Sequence, residues 1–296
     1  MDNYNISRRC CSIIIPDIIA KEADLIVGKN IITGLLDKPG ILDDNEINID
    51  ELTPDYSILE TIDHKYPLDT GYLTYMTRGC TRTCSFCAVP KLEPIYKDKI
   101  SINQQLDLIK KKHGDRKDLI LMDNNVLGSP LFPKIIEEIV EMGFGVGSKF
   151  TPPNKFDILC NYIKNEKDQL NISRYEKRIY EYLNEYIFNR ITKKEDKLNY
   201  LSLLTLYGIN KKENIKKELI LESKDELNYY VEKYRLKTPK NRYVDFNQGI
   251  DCRYVDEEKM KLLSQIPIRP MRIAFDHISL KEKYENAIRL ADKYGG

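Results

Sequence analysis

The sequence predicts an α/β fold in which parallel strands alternate with helices and one connection carries a long helical insertion. Three observations predict it. Apolar, β-prone runs at Tyr72–Thr77, Leu119–Met122, Tyr243–Phe246 and Met271–Phe275 each end in polar side chains and are each followed by a helical pattern. The run Leu119–Met122 is apolar throughout, as a strand buried on both faces of a parallel sheet requires. Between the second and third of these units the block Gly145–Asn241 changes in kind, being rich in Lys, Glu, Asn and Tyr with helical periodicity.

In chain order, residues 1–70 read as a lead-in. Short apolar runs at Ile13–Ile15 and Asp24-Leu25-Ile26-Val27-Gly28 are followed by Pro39-Gly40 and an acidic loop from Asp43 to Glu51. The strand from Tyr72 runs into a cysteine-bearing loop. Ser101-x-x-Gln104 matches a capping box for a helix that carries Leu106 and Ile109 on one face and stops near Gly114. Strand Leu119–Met122 ends in Asp123-Asn124-Asn125, and a helix Pro133–Met142 follows with Pro in its first turn and Gly143 at its end. The insertion opens through Thr151-Pro152-Pro153. It holds a helix starting at Ser173-x-x-Glu176 with Ile179, Leu183 and Ile187 on one stripe, a second stripe of Leu198, Leu201, Leu204 and Leu206 ending at Gly208, and a third helix capped by Ser223-x-x-Glu226, with Pro239 closing the block. Strand Tyr243–Phe246 ends in Asn247-Gln248-Gly249, and helix 257–264 leads to the last strand, Met271–Phe275, which ends in Asp276-His277. Ser279-x-x-Glu282 is read as the cap of a final helix to Tyr294, stopped by Gly295.

With 47 basic and 46 acidic residues the formal net charge is +1, so the overall balance does not call for a polyanionic partner. Tyr175, Tyr180, Tyr182 and Tyr186 with nearby basic residues would suit stacking on RNA, but they suit helix packing equally, and without a basic excess packing is the favoured reading. The polar start Met1–Arg9 and the lack of any run of 18 or more apolar residues lead to the expectation of a cytoplasmic protein away from the membrane, with reduced thiols. Cys10, Cys11, Cys160 and Cys252 are scattered and read as small buried hydrophobes.

The remaining three of seven cysteines, Cys80, Cys84 and Cys87, stand in the spacing C-x3-C-x2-C directly after the first strand. A strand that delivers three thiols into one loop lets the sulfurs converge on one inorganic centre, and iron–sulfur clusters are held by thiolates from such loops. Three ligands to a four-iron cluster would leave one iron open for chemistry. Structural zinc is the alternative; it needs a fourth N or S ligand, and the nearest histidines in sequence, His64 and His113, are distant. In barrels of parallel strands the reacting groups lie at the strands' C-terminal ends. That rule gathers the three cysteines with Asp123, Asn124, Asn125, Asn247, Gln248 and Asp276, although turn chemistry and helix capping alone would also place Asn and Asp there.

The pattern C-x3-C-x-aromatic-C, with Phe86 as the aromatic, resembles the signature of the radical S-adenosylmethionine (radical SAM) superfamily. Thr77-Arg78-Gly79-Cys80, Cys84-Ser85-Phe86-Cys87-Ala88-Val89-Pro90 with Glu93, then Asp123-Asn124-Asn125 and Phe246-Asn247-Gln248-Gly249-Ile250-Asp251-Cys252-Arg253 are similar to a poorly characterised subgroup of it. The resemblance implies a [4Fe–4S] cluster on Cys80, Cys84 and Cys87, S-adenosylmethionine (SAM) chelating the open iron, an external electron donor such as flavodoxin or ferredoxin, and a 5′-deoxyadenosyl radical acting on an unknown substrate. It implies that Phe86 packs near the adenine and that Asp123, Asn124 and Asn125 replace the Gly-Gly-Glu that contacts the SAM amino group. Asn247 and Arg253 then become partners for the ribose or carboxylate. The fold implied is a radical SAM (β/α) barrel of six units; four are counted, so residues 71–296 are expected to be a partial barrel core, incomplete at its C-terminus, with the insertion at 145–241. Residues 1–70 then read as a reduced remnant of a Rossmann-like domain, without the Asp-x-His-x-x-Gly signature of cobalamin binding. Two rival readings are a non-catalytic metal-binding or interaction protein descended from such an enzyme, and a tRNA-modifying methylthiotransferase. Methylthiotransferases share the cysteine loop followed by Val-Pro, but the extra cluster and RNA-binding domain of that group are not visible here.

Overall fold

Residues 53–63 and 69–295 are described by the computed structural model of the chain. The expected parallel sheet is present. Strands β1 (Gly71–Thr74), β2 (Asp118–Leu121) and β5 (Val244–Phe246) lie side by side in the order β1-β2-β5. Tyr72 pairs with Leu119, and Leu119 in turn with Val244, all in parallel. Leu119, Leu121 and Val244 are fully buried, which explains the unbroken apolar run of the central strand. Helices α3 (Asn103–His113) and α4 (Phe132–Ile139) flank the sheet and contribute Leu106, Ile109, Phe132, Ile135 and Ile139 to the same core. Their connections leave β1 and β2 at the same edge, so the strands' C-terminal ends share one side of the molecule.

The fourth predicted strand pairs differently from the expectation. β7 (Ile273–Ala274) is shorter than Met271–Phe275 and lies parallel to β6 (Ile250–Asp251), in a separate two-stranded sheet. Gly249, at φ +77°, turns the chain out of β5 before β6 begins. The partner along β5 is instead irregular backbone: Val244 N–H donates to Pro267 O (2.9 Å) and Arg269 N–H donates back to Val244 O (2.9 Å). The described strands therefore form three small sheets and not a closed barrel. On the other side, the β1 amide of Leu73 donates to the Tyr56 hydroxyl at 2.8 Å, so the segment before the sheet covers its first edge.

The insertion is entered and left through an antiparallel pair, β3 (Lys149–Phe150) with β4 (Lys240–Asn241). Between them α5 (Lys155–Asn165), α6 (Gln169–Tyr180), α7 (Lys194–Leu206), α8 (Lys217–Glu222) and α9 (Lys224–Tyr234) surround their own apolar core, built on Phe156, Leu159, Ile163, Ile179, Leu183, Tyr200, Leu227 and Val231. Tyr175 is fully enclosed and Tyr180 and Tyr182 pack against this core, while Tyr186 lies at the surface, stacked on Tyr182. The leucine stripe of α7 is a correction: Leu204 is buried, but Leu198, Leu201 and Leu206 are exposed. Tyr200 takes the inward position, donating its hydroxyl to Leu183 O (3.1 Å), and with Leu204 one turn on it sets which face is inside.

Several caps also differ from expectation. Ser101 does not close a capping box. Its hydroxyl donates to Glu138 on α4 (2.7 Å), as does the Ile102 N–H (2.9 Å), because a buried carboxylate is the stronger acceptor. Burial works to raise the Glu138 pKa, but hydrogen bonds from Lys99, Ser101 and Ile102 outweigh it and hold the carboxyl below its usual range. Helix α6 begins earlier than Ser173, at an Asp168 cap that accepts from Asn171 N–H. Ser223 stands at the start of α9 but its hydroxyl donates back to Leu219 O (2.7 Å). Helix α10 (Glu257–Leu263) is capped by Asp256, and α11 (Lys281–Tyr294) begins after Leu280, its Gly295 stop in the left-handed region as expected. The lead-in runs Ile13–Ile15, Asp24–Gly28, Pro39-Gly40 and Asp43–Glu51, together with Cys10, Cys11 and His64, lie outside the described residues. Among the described residues no helix is long and apolar enough to cross a membrane.

Candidate metal centre

The cysteine loop grows from the C-terminal end of β1, and two carboxylates tie it down. Asp123, two residues beyond β2, is fully buried and accepts hydrogen bonds from the Met76 N–H (3.0 Å), the Thr77 N–H and the Thr77 hydroxyl (2.6 Å). Burial pushes its pKa up to about 6, against the opposing pull of those donors. Glu93 follows the short helix α2 (Val89–Leu92) and receives the Gly79 N–H (2.8 Å), the Asn124 side-chain amide (3.1 Å) and the Arg78 guanidinium (3.0 Å). Gly79 is needed as glycine. Its φ is +70°, and a Cβ there would stand 2.8 Å from Ile95 O and 3.0 Å from Glu93 O. Gly79→Ala is therefore expected to lower unfolding free energy by about 1–3 kcal/mol in urea titration and to loosen the loop that follows.

Beyond Gly79 the loop carries Cys80, Cys84 and Cys87, all free thiols and all part-exposed, with Cys87 N–H closing a turn onto Cys84 O (3.0 Å). Two N–H groups, from the segments that follow β2 and β6, face the sulfurs. The Asn125 amide stands 3.7 Å from Cys80 Sγ, and Arg253 Nη1 stands 3.8 Å from Cys84 Sγ. Asp251, at the end of β6, joins these donors: Oδ1 accepts from Arg253 Nε (2.6 Å) and Arg253 N–H (3.0 Å), and Oδ2 accepts from Asn125 Nδ2 (3.3 Å). Asp276, beyond β7, meets Arg253 Nη2 at 3.4 Å. Thr81 and Tyr254 share a hydroxyl contact of 2.9 Å, linking the loop to the segment after β6.

The strand-end residues predicted for the site thus separate. Asn125, Arg253 and Asp276 come together at the cysteine loop, while Asn124 supports it through Glu93 and Asp123 points inward to the backbone. Asn247 meets β2 through its main chain, donating to Leu121 O at 3.1 Å, and Gln248 is exposed. Phe86 is 71% exposed, its ring turned to the surface beside the cysteines. Glu93 and Asp251 stand in the motifs that carry the resemblance but without a role in the site, and the sequence pattern does not single out Tyr254. For Asp251 the signal was its place two residues before Arg253, and for Glu93 its being the first acid after the loop.

The three sulfurs lie in one loop without being focused on a point: among the described residues, no three Cys, His, Asp or Glu side chains are arranged to hold a metal ion. The donor set nevertheless suits an iron–sulfur centre, being three soft thiols with N–H groups aimed at two of them and a buried Asn125 Oδ1 that has no hydrogen-bond partner among the described residues. It suits zinc less well. His113 bonds the Tyr162 hydroxyl (2.7 Å) at the junction with the insertion, and His277 folds back on Ser279. Cys160 and Cys252 are buried, as expected for small hydrophobes.

Comparison with known proteins gives one partial similarity. The chain is 29% identical over 89 residues to the ribosomal protein uS12 methylthiotransferase RimO of Chlorobium phaeobacteroides, a match covering 28% of this chain and 21% of that protein. The chain therefore spans about a fifth of the relative's length in the region they share. No family profile matches the chain, and no solved structure does.

Proposed function

We propose that the chain is a radical SAM enzyme core acting on an unknown substrate, with Cys80, Cys84 and Cys87 holding a [4Fe–4S] cluster. The observation that carries this reading is the three-thiol loop at the C-terminal end of the first parallel strand, with Asn125 and Arg253 reaching its sulfurs from the segments that follow β2 and β6. The partial similarity to a methylthiotransferase supports it. When bound, such a cluster supplies the electron that cleaves SAM and starts hydrogen abstraction from substrate; an external one-electron donor must deliver that electron.

The chain's own groups have distinct tasks in this reading. Phe86 offers an exposed ring face for stacking on the adenine. Asn125 presents an unpaired, buried carbonyl oxygen, which suits the SAM ammonium as a donor. Asn124 holds Glu93, and Asn247 lies at the end of β5 where it would meet the ribose or carboxylate. Asp123 keeps the strand-to-loop junction in place, its carboxylate taken up by the Met76 and Thr77 donors.

Anaerobic reconstitution with iron and sulfide, followed by reduction in the presence of SAM, tests the proposal. The expected result is about four iron and four sulfide per chain and release of 5′-deoxyadenosine. A loaded protein that never cleaves SAM would favour the non-catalytic metal-binding reading. Methylthio transfer is the second enzymatic reading, favoured only by the RimO similarity, and transfer of a methylthio group to RNA or to a ribosomal protein would support it.

A further inference from the structure

We propose that Arg253 is a positioning residue for the Cys84 sulfur, and that its guanidinium, held by Asp251, makes the cysteine-bound centre easier to reduce. This rests on the cluster reading given above but assigns Arg253 a different task from binding a SAM carboxylate.

All three guanidinium nitrogens already have separate partners. Nε meets Asp251 Oδ1 at 2.6 Å, Nη2 meets Asp276 Oδ2 at 3.4 Å, and Nη1 meets Cys84 Sγ at 3.8 Å. The fork by which arginine grips a free carboxylate is thus taken up by two carboxylates of the chain, leaving the Nη1 edge for the sulfur. Asp251 is buried at 9% exposure, and its own three hydrogen bonds hold Arg253 from the side chain and the main chain while also orienting Asn125 toward Cys80. One carboxylate therefore aims an N–H donor at each of two sulfurs. The negative charges of Asp251 and Asp276 oppose the cation at long range, but they sit on its other edges, and the edge turned to Cys84 Sγ is the Nη1 N–H; Arg82 also bonds the Cys84 side chain and stays in place in the Arg253 variants. Hydrogen bonds to the sulfurs set cluster potential, and a donor favours the state carrying the extra electron.

The experiment is a dithionite redox titration of the reconstituted full chain, followed by electron paramagnetic resonance, with iron and sulfide counted for each variant. Arg253→Met keeps the bulk of the side chain and loses the donor. It should load iron and sulfide as the unaltered chain does, yet its reduced-to-oxidised ratio at a given potential should fall about tenfold, a negative shift of ~59 mV for a one-electron couple. Arg253→Lys keeps the charge without the fork and should fall between the two; if the methionine variant does not load, the lysine variant carries the test. A loaded variant with an unshifted potential overturns this inference while leaving the cluster reading standing. An unaltered chain that takes up no iron and sulfide overturns both.

Discussion

Alanine at Cys80, Cys84 or Cys87 should reduce iron and acid-labile sulfide to background after anaerobic reconstitution, while Cys160→Ala should leave both unchanged. The contrast follows from where the thiols sit. The three loop cysteines are part-exposed free thiols in one loop, with N–H donors facing Cys80 and Cys84, so an assembling cluster can reach all three. Two remaining thiolates cannot hold a four-iron cluster that already has one iron free of protein. Cys160 lies in the core of the insertion at 1% exposure, where burial pushes its pKa up to about 12 and leaves it a protonated, apolar side chain. Its removal should be felt only as a small cavity, about 1 kcal/mol in urea titration. One zinc per chain with no sulfide, lost in the same three variants, would refute the cluster and establish the zinc alternative.

Asp123→Ala should cost about 3–5 kcal/mol of folding stability, a large share of the ~5–15 kcal/mol of a typical domain. The substitution strands the buried Met76 and Thr77 amides and the Thr77 hydroxyl, three donors with one acceptor between them. Asp123→Asn keeps a carbonyl for these donors and should cost less, and it also isolates the carboxyl's pH dependence. The folded-state pKa of about 6 lies above the ordinary value near 3.8, so the folded chain binds this proton more tightly than the unfolded chain. The resulting stabilisation is complete below the unfolded pKa and is lost as pH rises toward 6. A shift of about two units corresponds to roughly 2–3 kcal/mol. Urea unfolding of both proteins between pH 4 and pH 7 should show the unaltered chain losing that much relative to the asparagine variant. A difference between them that is flat across the range would show that Asp123 does not titrate as the burial requires.

Local pattern determined much of this protein. The C-x3-C-x2-C spacing after an apolar run put the thiols at a strand's C-terminal end. The apolar stretch Leu119–Met122 marked the central strand of a parallel sheet, and Gly295 marked a helix stop. These are legible because strand period, turn conformation and the special freedom of glycine are properties of a few neighbouring residues. What only the tertiary structure decided is which partner each polar or apolar group finds. Asp123, Asn124 and Asn125 are adjacent in sequence and equally polar, yet one turns into the core, one braces Glu93 and one faces a sulfur. Ser101 gives up its own helix for Glu138, and Leu198 and Leu201 yield the inner face of α7 to Tyr200. The last strand pairs with β6 because Gly249 ends β5 and the Pro267–Arg269 backbone occupies that edge first. In each case donors, acceptors or apolar faces far apart in the chain compete for one partner, and burial makes the loser's cost large enough to decide the outcome.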